Sequence, residues 1–209
     1  MPLTRKGAAT KRRIVEGAAE QIREHGVFGA RLEDVMARTA TSKSQLFHYF
    51  PGGKDELLLA VARYEADRVL EDQQPELGAL TSWEAWWQWR DKLLARYRAQ
   101  GANCPLHTAL AQLGRATDAA RTVTCELLAQ WQRQLAAGIR HLQADGATDP
   151  RLDADREAAA LVAGIQGGVL ILMATGATTH LEAALDSGLA RLRGPATGCA
   201  TGCAGLAGS

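Results

Sequence analysis

The side chains best suited to specific chemistry lie in one short polar run, residues 42–54. It contains serine, glutamine, histidine, tyrosine and lysine, which together offer hydrogen-bond donors, acceptors and positive charge. Amide and imidazole groups can pair with base edges, whereas hydroxyl and ammonium groups are natural partners of phosphates. The residue types of this run therefore favour contact with a nucleic acid.

A second candidate site is the pair Cys104 and His107, which has the spacing of two metal ligands. Cys125 or His141 could supply a further ligand, but two residues at this spacing are weak evidence for a metal. A polar pair near a helix start and a thiol sensor are the alternatives. We predict no metal site and no cofactor.

Sequence motifs for catalysis are missing from the chain. It contains no glycine-rich phosphate loop, no zinc-protease histidine pair and no nucleophile elbow. An enzyme would have to assemble its site from scattered residues, so we do not expect one.

The elements that position these residues are expected to be helices, because the chain of 209 residues is rich in alanine and poor in aromatic residues. Apolar residues recur at three- and four-residue steps, and no strand-like alternation persists. The expected helices span 11–25, a short segment from Leu32, residues 42–50, a long segment from Lys54, 82–99, 105–114, 117–145, 154–175 and 178–193. Residues 73–80 form a linker or a helix end, and 194–209 a low-complexity tail that holds Cys199 and Cys203.

Charge is distributed unevenly along the chain. Residues 1–56 carry 10 Lys and Arg against 7 Asp and Glu, whereas the rest carries 14 against 16. The first 13 residues contain five basic side chains and no acidic one. A polyanion should therefore meet the N-terminal end, although a flexible, solubilising arm is the alternative.

Ser42 and Gln45 have the Ser-x-x-Gln form of a capping box, which marks the start of the third helix. Two short helices joined by a tight turn, the second with a capped polar face, are the parts of a helix-turn-helix. Leu46 and Phe50 are then expected to face inward, leaving the polar residues for the major groove.

The residues themselves resemble those of TetR-family transcriptional repressors. The resemblance is carried by Gly26-Val27-Phe28, by Asp34-Val35 and by the run from Ser42 to Lys54. The form Pro51-Gly52-Gly53-Lys54 and the later Cys104-Pro105-Leu106 resemble the LmrA/YxaF-like branch. The resemblance covers about residues 10–193. Ala40 and Thr41 depart from the Gly-Val that the family commonly has in the turn, and Ala30 replaces a frequent threonine.

The resemblance implies an all-α fold with a three-helix DNA-binding domain followed by a helical domain for effector binding and dimerisation. The boundaries are 1–9 for a basic arm, 10–53 for the helix-turn-helix domain, 54–193 for the second domain and 194–209 for the tail. The residues implied to face DNA are Lys43, Ser44, Gln45, Phe47, His48 and Tyr49, with Lys54 on a phosphate. Gln45 could instead fold back onto Ser42, and Lys43 could be a solvated surface charge.

Four of the five tryptophans lie between residues 83 and 89. Three of them share one helix face, whereas Trp89 points elsewhere. They could line a cavity for an apolar or aromatic effector, or they could be plain core. The candidate effector-binding residues are Trp83, Trp86, Trp87, Trp131, Gln166 and Met173.

Small residues and a leucine stripe near the C-terminus suggest a two-fold dimer interface. The candidates are Ala160, Gly164, Gly168, Leu181, Leu185, Leu189 and Leu192. Packing against the chain's own core is the alternative.

Residues 158–179 carry no formal charge and are long enough to span a bilayer. Glycine, threonine and Gln166 dilute this segment, so we expect a buried helix of a soluble protein. The N-terminus lacks the apolar region of a signal peptide. We therefore expect a cytoplasmic protein with no membrane partner.

Together these features predict a homodimeric repressor that binds a palindromic double-stranded DNA operator and is released by a small molecule. The alternatives are the same fold controlled by thiol oxidation or a protein partner, and a helical interaction protein that binds no DNA.

Overall fold

The computed structural model describes residues 4–100, 104 and 117–194. These residues form eight α-helices and one short 3-10 helix, and none of them is in a strand. The helices are α1 (Arg5–Gly29), α2 (Leu32–Arg38), α3 (Lys43–Tyr49), α4 (Lys54–Glu71), the 3-10 helix (Glu76–Ala79), α5 (Trp83–Gln100), α6 (Asp118–Ala144), α7 (Ala154–Thr175) and α8 (Thr179–Arg193). The all-α prediction is confirmed. The expected helix at 105–114 and the tail from 195 lie outside the described residues.

Helix α1 begins six residues before its expected start. Thr4 caps it, because its hydroxyl accepts a hydrogen bond from the Gly7 backbone N–H at 3.1 Å. Residues 5–9 are therefore the first turns of α1, and the prediction of a separate basic arm is wrong for them. The helix is kinked at Gly26, whose φ of 73° is a left-handed value.

Helix α4 belongs to both halves of the molecule. It packs against α1 on one side and against α6 on the other. Leu57 and Val61 near its start, and Val69 and Leu70 near its end, are all buried. The expected boundary at residues 53 and 54 is therefore a turn between helices, because the core continues across it.

Helices α7 and α8 form the most closely packed pair. A Cβ atom built on Gly168 of α7 would lie 2.5 Å from Leu181 Cα, and one built on Gly188 of α8 would lie 2.4 Å from Leu161 Cδ2. Glycine at both positions therefore allows the two backbones to approach.

Gly168→Ala should lower the free energy of unfolding by about 1 to 3 kcal/mol, because the new methyl group meets the Leu181 backbone, which cannot rotate away. Urea unfolding measures the change. Gly167→Ala is the matched control, since a Cβ there meets nothing within 4 Å and alanine favours helix. Equal stability of the two variants would contradict the close approach of α7 and α8.

Candidate nucleic-acid interface

The third helix starts at a complete capping box. The Ser42 hydroxyl accepts from the Gln45 backbone N–H, and the Gln45 side-chain oxygen accepts from the Ser42 backbone N–H, both at 3.2 Å. These bonds satisfy two backbone donors that a helix start leaves unpaired. In the unbound chain the Gln45 carbonyl oxygen is therefore engaged, while its side-chain NH₂ group remains a donor for a base or a phosphate.

Helix α3 is amphipathic over only seven residues. Leu46 and the capping residue Phe50 are fully buried. The opposite face is exposed, and it carries Lys43, Ser44, Gln45, Phe47 and His48. Tyr49 is half-buried, with its ring edge-on to His48 at 4.9 Å between centroids. Of the residues expected to face DNA, the structure brings six together on this short helix.

The turn before α3 contains strained backbone. Ala40 has a φ of 46°, the left-handed region that disfavours any side chain. Its neighbours hold the turn closed, because the Thr39 hydroxyl donates to the Val35 carbonyl at 2.7 Å. Helix α1 also approaches here, since a Cβ on Gly17 would lie 2.3 Å from Thr39 Cγ2. Ala40 therefore occupies a left-handed position for which glycine is better suited.

Lys54 has a structural contact that the sequence did not indicate. Its ammonium group donates to the Ala30 carbonyl at 2.8 Å, which ties the start of α4 to the segment between α1 and α2. The side chain is half-buried. A contact between Lys54 and a phosphate stays a prediction, and any variant at this position will also loosen the domain.

The N-terminal turns of α1 add positive charge beside α3. Arg5, Lys6, Arg12 and Arg13 are exposed, and Arg12 pairs with Glu16 at 2.8 Å. Lys11 lies over the Phe50 ring, with its Nζ atom 5.2 Å from the ring centroid. This cation–π contact places an ammonium group directly beside the end of α3. The sequence predicted a helix from Lys11, but not that Arg5 and Lys6 belong to the same helix.

A buried ion pair joins α1 to α4. Arg23 of α1 donates to Glu65, whose side chain is fully buried, and Arg68 Nη1 lies 3.6 Å from the other Glu65 oxygen. Burial raises the pKa of Glu65, while the charges of Arg23 and Arg68 oppose this shift. Nothing in the sequence pattern singled out Glu65, because its partner lies 42 residues away.

The candidate effector-binding residues differ in how deeply they are buried. Trp86 and Trp131 are fully buried, whereas Gln166 and Met173 are half-buried. Trp83 and Trp87 are partly exposed, and the Trp83 indole donates to the Ala147 carbonyl at 3.1 Å. The prediction that Trp89 points away from the other tryptophans is wrong. Trp89 is fully buried and packs edge-on against Trp86 at 5.7 Å between centroids.

The leucine stripe of α8 lies inside the single chain. The four leucines are at most 1% exposed, namely Leu181, Leu185, Leu189 and Leu192. Gly164 and Gly168 face α8 of the same chain, with a Cβ on Gly164 lying 3.3 Å from Ala184 Cβ. The four leucines and Gly168 are buried in the α7–α8 packing, so the prediction that they meet a second chain is wrong; Gly164 is half-buried, and its contact with a second chain stays a prediction. Ala160 is exposed.

Helix α7 leaves an apolar face uncovered. From Ala160 to Ala174 its exposed residues recur at steps of three and four and bear no charge, namely Ala160, Ala163, Gly167, Leu170 and Ala174, whereas Asp155 and Arg156 are exposed in its first turn. Leu170 is 60% exposed. Among the described residues α7 is the one helix long and apolar enough to cross a membrane. Its other side packs against α6 and α8, as in a core helix of a soluble protein.

The cysteine and histidine positions show no metal arrangement within the described part of the chain, where no group of three or more His, Cys, Asp or Glu side chains could hold an ion. Cys104 is buried and Cys125 is exposed. His107, Cys199 and Cys203 lie outside the described residues.

Comparison with known proteins agrees with this geometry. Residues 14–61 match the family described as bacterial regulatory proteins, tetR family, and residues 83–187 match the tetracyclin repressor-like C-terminal domain. The fold is similar to a TetR transcriptional regulator from Chloroflexus aurantiacus, with a TM-score of 0.74 and 23% identity over 89% of this chain and 95% of that one.

Two curated relatives match over part of their lengths. An uncharacterised HTH-type transcriptional regulator of Mycobacterium tuberculosis is 28% identical over 53% of this chain and 57% of that protein. The HTH-type transcriptional repressor AcnR of Corynebacterium efficiens is 38% identical over 32% of this chain and 35% of that repressor. The two family matches cover both the helix-turn-helix and most of the second domain. The chain therefore belongs to the TetR family of bacterial transcriptional regulators.

Proposed function

We propose that the chain is a homodimeric repressor that binds a palindromic operator and releases it when a small lipophilic or aromatic effector binds. The observation that carries this proposal is the capped helix α3, whose apolar side is buried while its polar side is exposed beside the basic start of α1. A short helix held in this way can enter the major groove without unfolding its support.

The residues proposed to contact DNA fall into two groups: those that contact phosphates and position the protein, and those that contact base edges and determine sequence specificity. Gln45 and His48 carry the groups that pair with base edges, whereas Lys43, Tyr49 and Lys54 carry groups that pair with phosphates. Ser44 can serve either, and Phe47, which is 40% exposed, offers an apolar contact for a thymine methyl group.

Dimerisation through the exposed face of α7 supports binding to two half-sites. Small residues there allow close helix approach, and Leu170 would lose its contact with water on association. The neighbouring helix α8 contributes exposed Ala183 and Ser187. We expect a second copy of the chain to cover this face of α7, because a two-fold axis pairs the same uncharged face with itself. The two α3 helices would then reach successive major grooves about 34 to 36 Å apart.

The effector is proposed to bind in the interior of the second domain, beside Trp86, Trp131, Gln166 and Met173, with Trp83 and Trp87 at its edge. Aromatic residues from several helices supply the apolar area that a small ligand needs. Release from DNA follows if the effector binds better to a state in which the two α3 helices no longer match the groove spacing.

We assign the chain to the LmrA/YxaF-like branch on its Pro51–Lys54 motif, and we expect it in the cytoplasm.

Selection from a random duplex library tests the DNA-binding proposal. We expect an inverted repeat whose half-sites are about 10 base pairs apart, centre to centre. If no sequence is enriched, the proposal that the chain binds a specific operator is wrong.

Lys43→Ala should then weaken binding to the selected operator and to random DNA alike and lower the salt dependence by about one ion, because a phosphate contact carries no sequence information. Gel shifts over a range of salt concentrations measure both effects. Arg133→Ala is the matched control, since it removes the same charge from an exposed position on α6. Equal slopes for both variants would show that Lys43 is only a solvated surface charge.

A further inference from the structure

The turn between α2 and α3 ends helix α2 in a Schellman motif. The Thr41 backbone N–H donates to the Met36 carbonyl at 3.0 Å, and the Ala40 N–H donates to the Ala37 carbonyl at 3.4 Å. The motif requires a left-handed residue at the position of Ala40, whose φ is 46°. Glycine is usual there, because a side chain disfavours this conformation. Other contacts must therefore hold Ala40 in place.

Two threonines flank Ala40 and bond to each other. Thr39 and Thr41 are both buried, and their hydroxyl oxygens lie 2.9 Å apart. The Thr39 hydroxyl donates to the Val35 carbonyl, and the Thr41 hydroxyl oxygen lies 3.2 Å from the Thr39 carbonyl. Each hydroxyl has one proton, so the Thr41 proton is left for the contact with Thr39. We call this pair of side chains the threonine bridge, because it spans the strained residue.

Helix α1 fixes one end of the threonine bridge. A Cβ atom on Gly17 would overlap the Thr39 Cγ2 methyl group, so glycine at this buried position of α1 leaves the space that the methyl group fills. Thr39 therefore makes two kinds of contact. Its methyl group packs against α1, and its hydroxyl group belongs to the bridge.

The other end of the bridge leads directly into the third helix. Thr41 is followed by Ser42, which caps α3 together with Gln45. Only the four residues 39–42 separate α2 from α3. Since the turn is this short, the dihedral angles at Ala40 determine the direction in which α3 leaves it. If Ala40 left the left-handed region, the exposed face of α3 would turn relative to α1.

We propose that Thr39 and Thr41 are positioning residues for DNA reading, which hold Ala40 in its left-handed conformation and so fix α3 at the angle that base contacts require. This inference rests on the proposed function and adds to it two buried residues outside the proposed DNA contacts. Base contacts need accurate placement of the side chains that make them, whereas phosphate contacts carry no sequence information. The threonine bridge should therefore affect preference for the operator more than binding to DNA in general.

A bridge that only stabilised the domain would behave differently. Its loss would lower the free energy of unfolding but leave the preference of the folded chain for the operator unchanged. Loss of a positioning bridge leaves the chain folded and lowers the fraction of molecules in which α3 has the binding orientation. The apparent operator affinity then falls by that fraction.

Thr41→Val tests the proposal, because it removes the hydroxyl group and keeps the shape of the side chain. Gel shifts compare the operator from the library selection with random duplex DNA. We expect a roughly threefold loss at each of two half-sites, so operator affinity should fall about tenfold, whereas affinity for random DNA should change less than about twofold. Thermal melting confirms that the variant is folded at the assay temperature.

Amide hydrogen exchange measures the turn itself in the absence of DNA. The backbone N–H of residue 41 is bonded to the Met36 carbonyl, so its protection reports opening of the Schellman motif. We expect this protection factor to fall at least about threefold in Thr41→Val. The Phe50 amide, which is bonded to the Leu46 carbonyl at the end of α3, should keep its wild-type protection.

Three further variants separate the hydroxyl group from other effects of substitution. Thr41→Ser keeps the hydroxyl group and should preserve the operator preference within about twofold. Ala40→Gly/Thr41→Val should also preserve it, because glycine takes the left-handed conformation without a bridge. Thr124→Val is the matched control and should change neither affinity. It removes a buried hydroxyl group in α6 that donates to the Ala120 carbonyl at 3.0 Å.

The proposal is overturned if Thr41→Val keeps wild-type operator affinity or wild-type protection at residue 41. An equal loss for operator and random DNA, or no recovery in Ala40→Gly/Thr41→Val, would overturn it as well. The library selection uses the wild-type chain and is independent of these variants. If it enriches no operator, the proposed function is wrong, and the bridge has no role in reading one. If an operator is enriched and Thr41→Val binds it like the wild type, this inference alone is wrong.

Discussion

A Leu170→Glu chain is expected to be monomeric and to bind the operator about 10² to 10⁴ times more weakly than the wild type. Leu170 is 60% exposed in the single chain, so the carboxylate costs the monomer little. In a two-fold dimer it would be buried near its own symmetry copy. Loss of the second half-site removes the gain from simultaneous binding at both. Sedimentation velocity and gel shifts measure the two effects.

Two control variants show whether the loss of the dimer in Leu170→Glu comes from the α7 face. Ala129→Glu adds the same charge at an exposed position of α6 and should leave both the dimer and the operator affinity intact. Leu185→Glu places a carboxylate in the core of the chain itself, so it should unfold the subunit. A Leu170→Glu dimer with wild-type affinity would exclude the α7 face as the interface.

Arg23→Met is expected to lower the free energy of unfolding by about 3 to 5 kcal/mol at neutral pH. It leaves the fully buried Glu65 without its main partner, while Arg68 remains 3.6 Å away. The double variant Arg23→Met/Glu65→Leu should recover most of this loss, because an apolar pair of similar volume needs no partner. Urea unfolding of both variants provides the comparison.

The pH dependence of the stability loss in Arg23→Met should identify the buried Glu65 carboxylate as its cause. Burial already raises the pKa of Glu65 above its ordinary value of 4.5, and removal of Arg23 takes away a charge that opposes the shift. Proton uptake then removes the buried charge, so the loss in Arg23→Met should shrink as the pH falls and grow as it rises through this raised pKa. A loss that is the same at pH 5 and pH 8 would contradict this assignment.

Arg38→Met is the control for a surface pair. Its guanidinium group holds the pKa of the exposed Glu24 below the ordinary value through a hydrogen bond at 2.8 Å. The stabilisation by this pair is present above the ordinary pKa of glutamate and is lost as the pH falls below it. Its effect should therefore be smaller than that of Arg23 and should change in a more acidic range.

The DNA-binding half was predictable because its signals are local. The capping box needs only Ser42 and Gln45, three residues apart, and the buried positions of α3 follow from helical period. The strain at Ala40 and the contact between Lys54 and Ala30 were not predictable, because both depend on how α1, α2 and α4 meet. Local pattern thus predicted α3 and its exposed polar face but not the contacts that support them.

The second domain shows where periodicity is ambiguous. A leucine stripe such as the one from Leu181 to Leu192 shows that one helix face is apolar, but it does not show which chain covers that face. In α7 the truly exposed face consists mainly of alanine and glycine, whose weak apolar signal is hard to separate from helix propensity. The buried pair of Arg23 and Glu65 joins residues 42 positions apart, and a single sequence gives no sign of such a contact.

The shared helix α4 has a thermodynamic consequence. Since one continuous helix supplies side chains to the cores on both of its sides, neither half can lose its structure without exposing apolar area of the other. The molecule is thus expected to behave as one cooperative unit with a single heat-absorption peak. The proposed operator and effector, although they bind at different ends, are therefore each expected to protect both halves against thermal unfolding and proteolysis.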